Sequence, residues 1–178
     1  MRAVSLAAAL LVASAAPAPA RSFAVYPIGT PLIAFSPGMH GLGVAVEYFQ
    51  PINLDGAMMH PAEDADIHLE ADITATADDP DGYAEGDWRP YLTVTYRLAR
   101  SDTGRSETGT LMPLVSYGSG GAGKPHYGDN LKLFGPGPYH LDLSVAPPPR
   151  QTGLGGALHP FTLHYDFVYA GIGKRGAY

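Results

Sequence analysis

The sequence predicts an all-β protein folded as an antiparallel β-sandwich, and three observations carry that prediction. Short segments alternate apolar and polar side chains with a period of two, as a strand with one buried and one wet face requires. Twenty-two glycines and seventeen prolines punctuate the chain between those segments. No stretch carries an apolar i, i+3, i+4, i+7 stripe longer than two turns, so any helix is short.

In chain order the predicted strands are 43–50 (GVAVEYFQ), 66–74 (DIHLEADIT), 91–99 (YLTVTYRLA), 108–116 (TGTLMPLVS), 130–134 (NLKLF), 139–145 (YHLDLSV) and 161–169 (FTLHYDFVY). Seven such strands suit two sheets, each burying one face. The connections ADDPDGYAEGD (77–87) and RSDTGRSE (100–107) hold the Asp, Gly and Pro that tight turns require. The first of these reads as an acidic, solvated turn and not as an EF-hand. With Gly82 at the sixth position, Ala77 would stand first and Trp88 twelfth, where ligands are needed.

Residues 1–20 (MRAVSLAAALLVASAAPAPA) have one base, Arg2, then an Ala/Leu/Val run that ends in a small-residue site, the pattern of a cleaved secretory signal peptide. The expected mature protein is one exported domain, 21–178. Cleavage removes Arg2 and no acid, so the formal charge of −6 becomes −7. That balance argues against nucleic acid and anionic lipid as partners, and leaves cations as natural ones. No other apolar run reaches the length of a spanning helix, so stable membrane insertion is not expected. The chain has no cysteine, so there are no disulfides, and any metal site must use His, Met, Asp or Glu.

Covalent catalysis finds no support. There is no Gly-x-Ser-x-Gly elbow, and the Gly-rich loop around Ser119 lacks Walker spacing because Pro125 follows Lys124. The protein is therefore not expected to be an enzyme. Seven histidines remain as reagents. In DIHLEADIT, His68 and Glu70 are two residues apart and face the same side of a strand, about 6 to 7 Å apart at Cβ, a span one ion can bridge. His126, in the Pro-led loop KPHYGDN, is suited as a third ligand, with Asp129 placed to orient its ring. His140 with Asp142, and His164 with Asp166, repeat the His-x-Asp spacing, and periodicity alone does not choose among them.

The segments YPIG (26–29), YFQPI (48–52), DIHLEADI (66–73), RPYLTVTY (89–96), GTLMP (109–113), PHYGDN (125–130), and PF through YDF (160–167) resemble the periplasmic iron-transport-associated family. These are small copper-binding partners of a bacterial inner-membrane iron permease. The resemblance implies an immunoglobulin-like sandwich of about seven to nine strands, usually a homodimer, that binds copper during iron uptake. Carried over residue by residue, it makes His68, Glu70 and His126 metal ligands. The family's methionine falls at Leu114, with Met112 preceding it, and the late loop that supplies a further histidine is shortened, leaving His159 nearby. Met112 and His159 are thus the additional candidates. Without the thioether the expected set of imidazoles and a carboxylate suits Cu(II), Zn(II), iron or manganese better than Cu(I). The competing expectation is a secreted β-sandwich interaction module with a vestigial metal site.

Overall fold

The structure, a computed structural model, describes residues 24–29, 32–33, 41–54, 56–116, 123–148 and 158–172. The expected signal peptide 1–20, His40, the Ser119 loop and residues 149–157 of the late loop lie outside them. The described residues form nine strands: β1 Tyr26–Pro27, β2 Leu32–Ile33, β3 Leu42–Phe49, β4 Ile67–Ala75, β5 Thr93–Arg100, β6 Ser106–Ser116, β7 Lys124–Leu131, β8 Gly137–Ala146 and β9 Phe161–Tyr169. A single 3-10 turn, Ala62–Asp64, is the only helix among the described residues. Two strands, β1 and β2, were not expected, because two residues are too few to show a period.

All pairings are antiparallel, in the order β1-β3-β4-β7-β6-β5-β8-β9, with β2 also on β3. Strand β6 is the joint. Its first part, up to Leu111, pairs with β5, and Met112 to Ser116 pair with β7. The sheet curls on itself, and its two halves share one core that includes Val44, Tyr48, Leu69 and Ile73 from one side and Leu141, Leu143 and Tyr165 from the other. Tyr48 of β3 meets Phe167 and Tyr169 of β9 at ring-centroid distances of 5.6 and 6.3 Å, although these strands stand near opposite ends of the order. This is the sandwich-like, all-β architecture that the alternation predicts.

Strand β4 shows why the alternation is strict. Ile67, Leu69, Ala71 and Ile73 are all 1% exposed or less and face the core, each large side chain contributing about 1.5 to 3 kcal/mol by leaving water. Its other face is not wet at the start of the strand, where His68 and Glu70 are 0% and 6% exposed. Asp66, expected on a polar surface, is also buried; it accepts hydrogen bonds from the Leu133 amide at 2.9 Å and from Lys132 at 3.0 Å.

Strand β7 corrects the expectation of a loop at KPHYGDN followed by a strand at 130–134. The strand is Lys124–Leu131, paired with β4 on one side and β6 on the other, and buried from His126 onward. Pro, Gly, Asp and Asn are poor strand formers, and only Tyr127 among its first seven residues favours a strand, so local propensity points the wrong way. Tertiary pairing overrides it. The Tyr127 hydroxyl anchors the strand in the core, accepting from the Leu92 amide at 3.0 Å and donating to the Arg89 carbonyl at 2.8 Å.

The acidic turn is not simply solvated either. The buried Arg89 guanidinium donates through Nη1 to both carboxylate oxygens of Asp79 and through Nη2 to Asp81, each at 2.6 Å. The Asp79 side chain is 0% exposed. Two of the acids that suggest a cation loop, Asp79 and Asp81, are taken up by the chain's own arginine, consistent with the failed EF-hand register.

Candidate metal centre

The ladder places the candidate residues in rows across one face of the sheet. Phe49, His68 and Asn130 form one row, and Glu47, Glu70, Gly128 and Met112 form the next. Leu114 stands opposite His126 in the row after that. Because side chains at alternate positions of a strand share a face, His68, Glu70, His126 and Asn130 all point to the same side. One ligand atom from each of His68, Glu70 and His126 lies within 4.8 Å of the others, and Glu70 Oε2 is 3.6 Å from His126 Nε2. Ligands held about 2.0 to 2.2 Å from one ion stand about 3 to 4 Å apart, so the group needs little adjustment to enclose one.

The tautomers are set by neighbours that can only accept. Asn130 donates both Nδ2 hydrogens, to the Ile52 and His60 carbonyls at 2.7 Å each, so its oxygen faces the Ile52 amide at 3.2 Å and His68 Nδ1 at 3.0 Å. His68 therefore carries its hydrogen on Nδ1, and its Nε2 offers a lone pair. His126 donates Nδ1–H to the Lys124 carbonyl at 3.1 Å, with the same result. Both Nε2 atoms are buried and lack a hydrogen-bond partner. Two buried acceptors left without donors are costly in a protein interior, and are expected where a cation completes them.

Gly128 leaves the necessary room. A Cβ there would lie 2.7 Å from His68 Nε2, 3.1 Å from Cε1 of the same ring and 3.1 Å from the Leu69 carbonyl oxygen. The space in front of the free His68 nitrogen is the space that a side chain at 128 would take. The His68 ring is held by Phe49, 5.0 Å away between centroids, and meets the His126 ring edge-on at 5.9 Å.

Electrostatics favours forms ready for a cation. Burial holds His68 down to about 4 and pushes His126 below its ordinary value, so both rings are neutral near pH 7. Burial, followed by the charges of Asp72 and Glu47, raises Glu70 to about 7, and a cation entering would draw that proton off. In the metal-free protein, His68 contributes stability that is complete above its ordinary 6.5 and is lost as pH falls through about 4. Glu70 works the other way, its contribution complete below 4.5 and lost as pH rises through about 7. The two partly cancel. Urea melts in chelator should therefore show Glu70→Gln steepening the rise of stability between pH 4.5 and 6.5 by up to about 1.4 kcal/mol per pH unit, and His68→Gln tilting the profile oppositely. Equal slopes in all three proteins would contradict this assignment.

Of the other expected residues, Met112 is half-buried and stands opposite Gly128, in the row of Glu70. His159 is exposed, precedes β9 and is not in the group. Asp129 does not orient His126. It accepts from the His60 amide at 2.8 Å and contacts His60 Nδ1 at 2.7 Å, pinning the segment whose carbonyl clamps Asn130. The orienting residue that sequence reasoning missed is Asn130. Its signal was the every-second-residue series 126, 128, 130, which becomes visible only once KPHYGDNL is read as a strand.

Comparison with known proteins places the chain in a family. The model of the Fe2+ transport protein family matches residues 22–171. A UPF0423 protein of Brucella abortus is 46% identical over 165 residues, 85% of each chain, and the 34 kDa membrane antigen of Treponema pallidum is 34% identical over 177 residues, 86% of this chain and 79% of that one. Copper-reconstituted P19 of Campylobacter jejuni superposes with a TM-score of 0.72 at 38% identity, covering 85% of this chain and 99% of that one. FetP of a uropathogenic E. coli, expressed in the periplasm, gives 0.71 at 38% identity over 85% and 99%. On the family match and these relatives together, the chain belongs to the Fe2+ transport protein family.

Proposed function

We propose that this protein is a periplasmic metal-binding accessory of bacterial iron uptake, in which His68, Glu70 and His126 hold a copper ion. The observation that carries the reading is the pair of buried, unpartnered Nε2 atoms with imposed tautomers, that of His68 facing the notch at Gly128. Copper-bound P19 supports copper as the metal. Two imidazoles and a carboxylate suit Cu(II) first among divalent ions, with zinc, iron and manganese bound more weakly. Three protein ligands leave positions open to water or to a further ligand.

The protein acts by holding and delivering the ion. Glu70, the carboxylate of this group, is taken up as a ligand in this reading and is not free to serve as a general base, so we assign no catalytic step. Its partners in this reading are a second copy of the chain and an inner-membrane iron permease. Titration of the metal-free protein with Cu(II), Zn(II) and Fe(II) at micromolar concentration tests the reading. Loss of the tighter binding event in His68→Ala supports it; no binding, or a tighter event indifferent to His68, overturns it in favour of an interaction module.

The ladder gives a second check. Leu114 is buried opposite His126, so Leu114→Met sets a thioether beside the centre at little packing cost, below about 1.5 kcal/mol. Cu(I) affinity should rise by about tenfold or more, equivalent to about 1.4 kcal/mol, in a competition titration with a Cu(I) chelator. An unchanged affinity would mean that position 114 does not face the ion.

A further inference from the structure

A second cluster lies two strands beyond the joint, on the outward face of β8 and β9. Leu141, Leu143, Leu163 and Tyr165 turn inward and are buried, which sends His140, Asp142, His164 and Asp166 outward. The register sets His140 opposite Asp166 and Asp142 opposite His164, so two imidazoles occupy one diagonal of a square and two carboxylates the other. Opposed Cα positions in adjacent strands put such side chains within reach of one another. Asp142 Oδ1 lies 2.9 Å from His140 Nε2 and 2.7 Å from His164 Nδ1, while His140 Nδ1 lies 2.7 Å from Asp166 Oδ1.

The contacts of His140 are informative because carboxylates only accept. Both ring nitrogens face carboxylate oxygens, so a neutral ring can satisfy only one of them. With Nδ1–H donated to Asp166, the Nε2 lone pair points at an Asp142 oxygen, and something positive must lie between. A proton does this in the imidazolium form, and a metal ion does it in the neutral form. Asp166 here plays the part that a carboxylate plays behind a metal-bound histidine, fixing the tautomer and raising the basicity of the nitrogen that faces the ion. The other Asp142 oxygen is 3.7 Å from Arg97 Nη1, so Oδ1 remains for the cation.

We propose that His140 Nε2, Asp142 Oδ1 and His164 Nδ1 form a second site for a divalent first-row transition ion, open to solvent and separate from the buried centre. One ligand atom from each of the three residues lies within 4.8 Å of the others, and the two rings stack at 6.0 Å between centroids with an 18° interplanar angle, so both can turn toward one ion. Two imidazoles and a carboxylate select Cu(II), Zn(II) or Fe(II) over calcium or magnesium. The position is exposed where the first is enclosed. It therefore binds more weakly, exchanges faster and leaves coordination positions for a ligand brought by a partner.

The test is calorimetric titration of the metal-free protein with Zn(II) and with Cu(II) at pH 7.5, comparing wild type with His140→Ala/His164→Ala. Two binding events are expected in the wild type, with the double variant losing the weaker one at least tenfold while the tighter event is unchanged. Titrating His68→Ala separates the two claims: with both sites real it keeps the weaker event alone, with only the buried centre real it shows no event, and a tighter event that persists counts against the buried centre. Paramagnetic broadening of the His140 and His164 ring signals by substoichiometric Cu(II) reads the site in the unmutated chain. Unchanged stoichiometry in the double variant, or broadening that spares both rings, would overturn the proposal.

Discussion

Gly128→Ala is expected to abolish metal binding at the buried centre, lowering its Cu(II) affinity by about a hundredfold or more, in a protein that still folds. The added Cβ would stand 2.7 Å from His68 Nε2, in the space the ion needs. The ring cannot easily retreat, since Asn130 holds its Nδ1 and Phe49 packs against it. The backbone is equally confined, with the Leu69 carbonyl 3.1 Å from the same Cβ. Overpacking of this kind costs about 1 to 3 kcal/mol, partly offset by about 0.4 to 1 kcal/mol from the stiffer unfolded chain. Loss of binding with a cooperative melt would show that the glycine serves the ion; a variant that binds copper as the wild type does would show that Nε2 is aimed elsewhere.

Asn130→Leu is the second large effect, because it strikes binding and stability together. Asn130 is 1% exposed and makes four hydrogen bonds, accepting from the Ile52 amide and His68 Nδ1 and donating to the Ile52 and His60 carbonyls. Leucine is similar in size but leaves those groups unpaired, and each buried orphan costs about 1 to 3 kcal/mol. The expected loss is about 2 to 4 kcal/mol in urea melts of the metal-free protein. Copper affinity should fall about 10- to 100-fold, since the His68 ring loses the contact that fixes its tautomer. Stability lost without any change in affinity would make Asn130 a structural residue only.

The contrast between β4 and β7 explains what the sequence could reveal. Strand β4 was legible because Ile67, Leu69, Ala71 and Ile73 alternate against ionisable residues, and core burial enforces that period. Strand β7 was not, because the site replaced its strand formers: Gly128 makes room, Asn130 orients His68, and Asp129 ties down His60. Sites that break local rules hide their own secondary structure. His68, Glu70 and His126 were nameable from spacing and family resemblance. Their tautomers, the notch and the role of Asn130 needed the register of β4 against β7, which no single segment contains. The pairing of Arg89 with Asp79 and Asp81 was hidden likewise, since turn residues advertise backbone geometry and not their ionic partners.

The central claim is that the two unpartnered imidazole nitrogens and Glu70 enclose one metal ion. Anomalous diffraction at the copper edge, from crystals of the protein loaded with one equivalent of Cu(II), tests it most directly. The account predicts one strong peak bounded by His68 Nε2, His126 Nε2 and the Glu70 carboxylate, over Gly128. A peak at His140 and His164 alone, or none between His68 and His126, would contradict it.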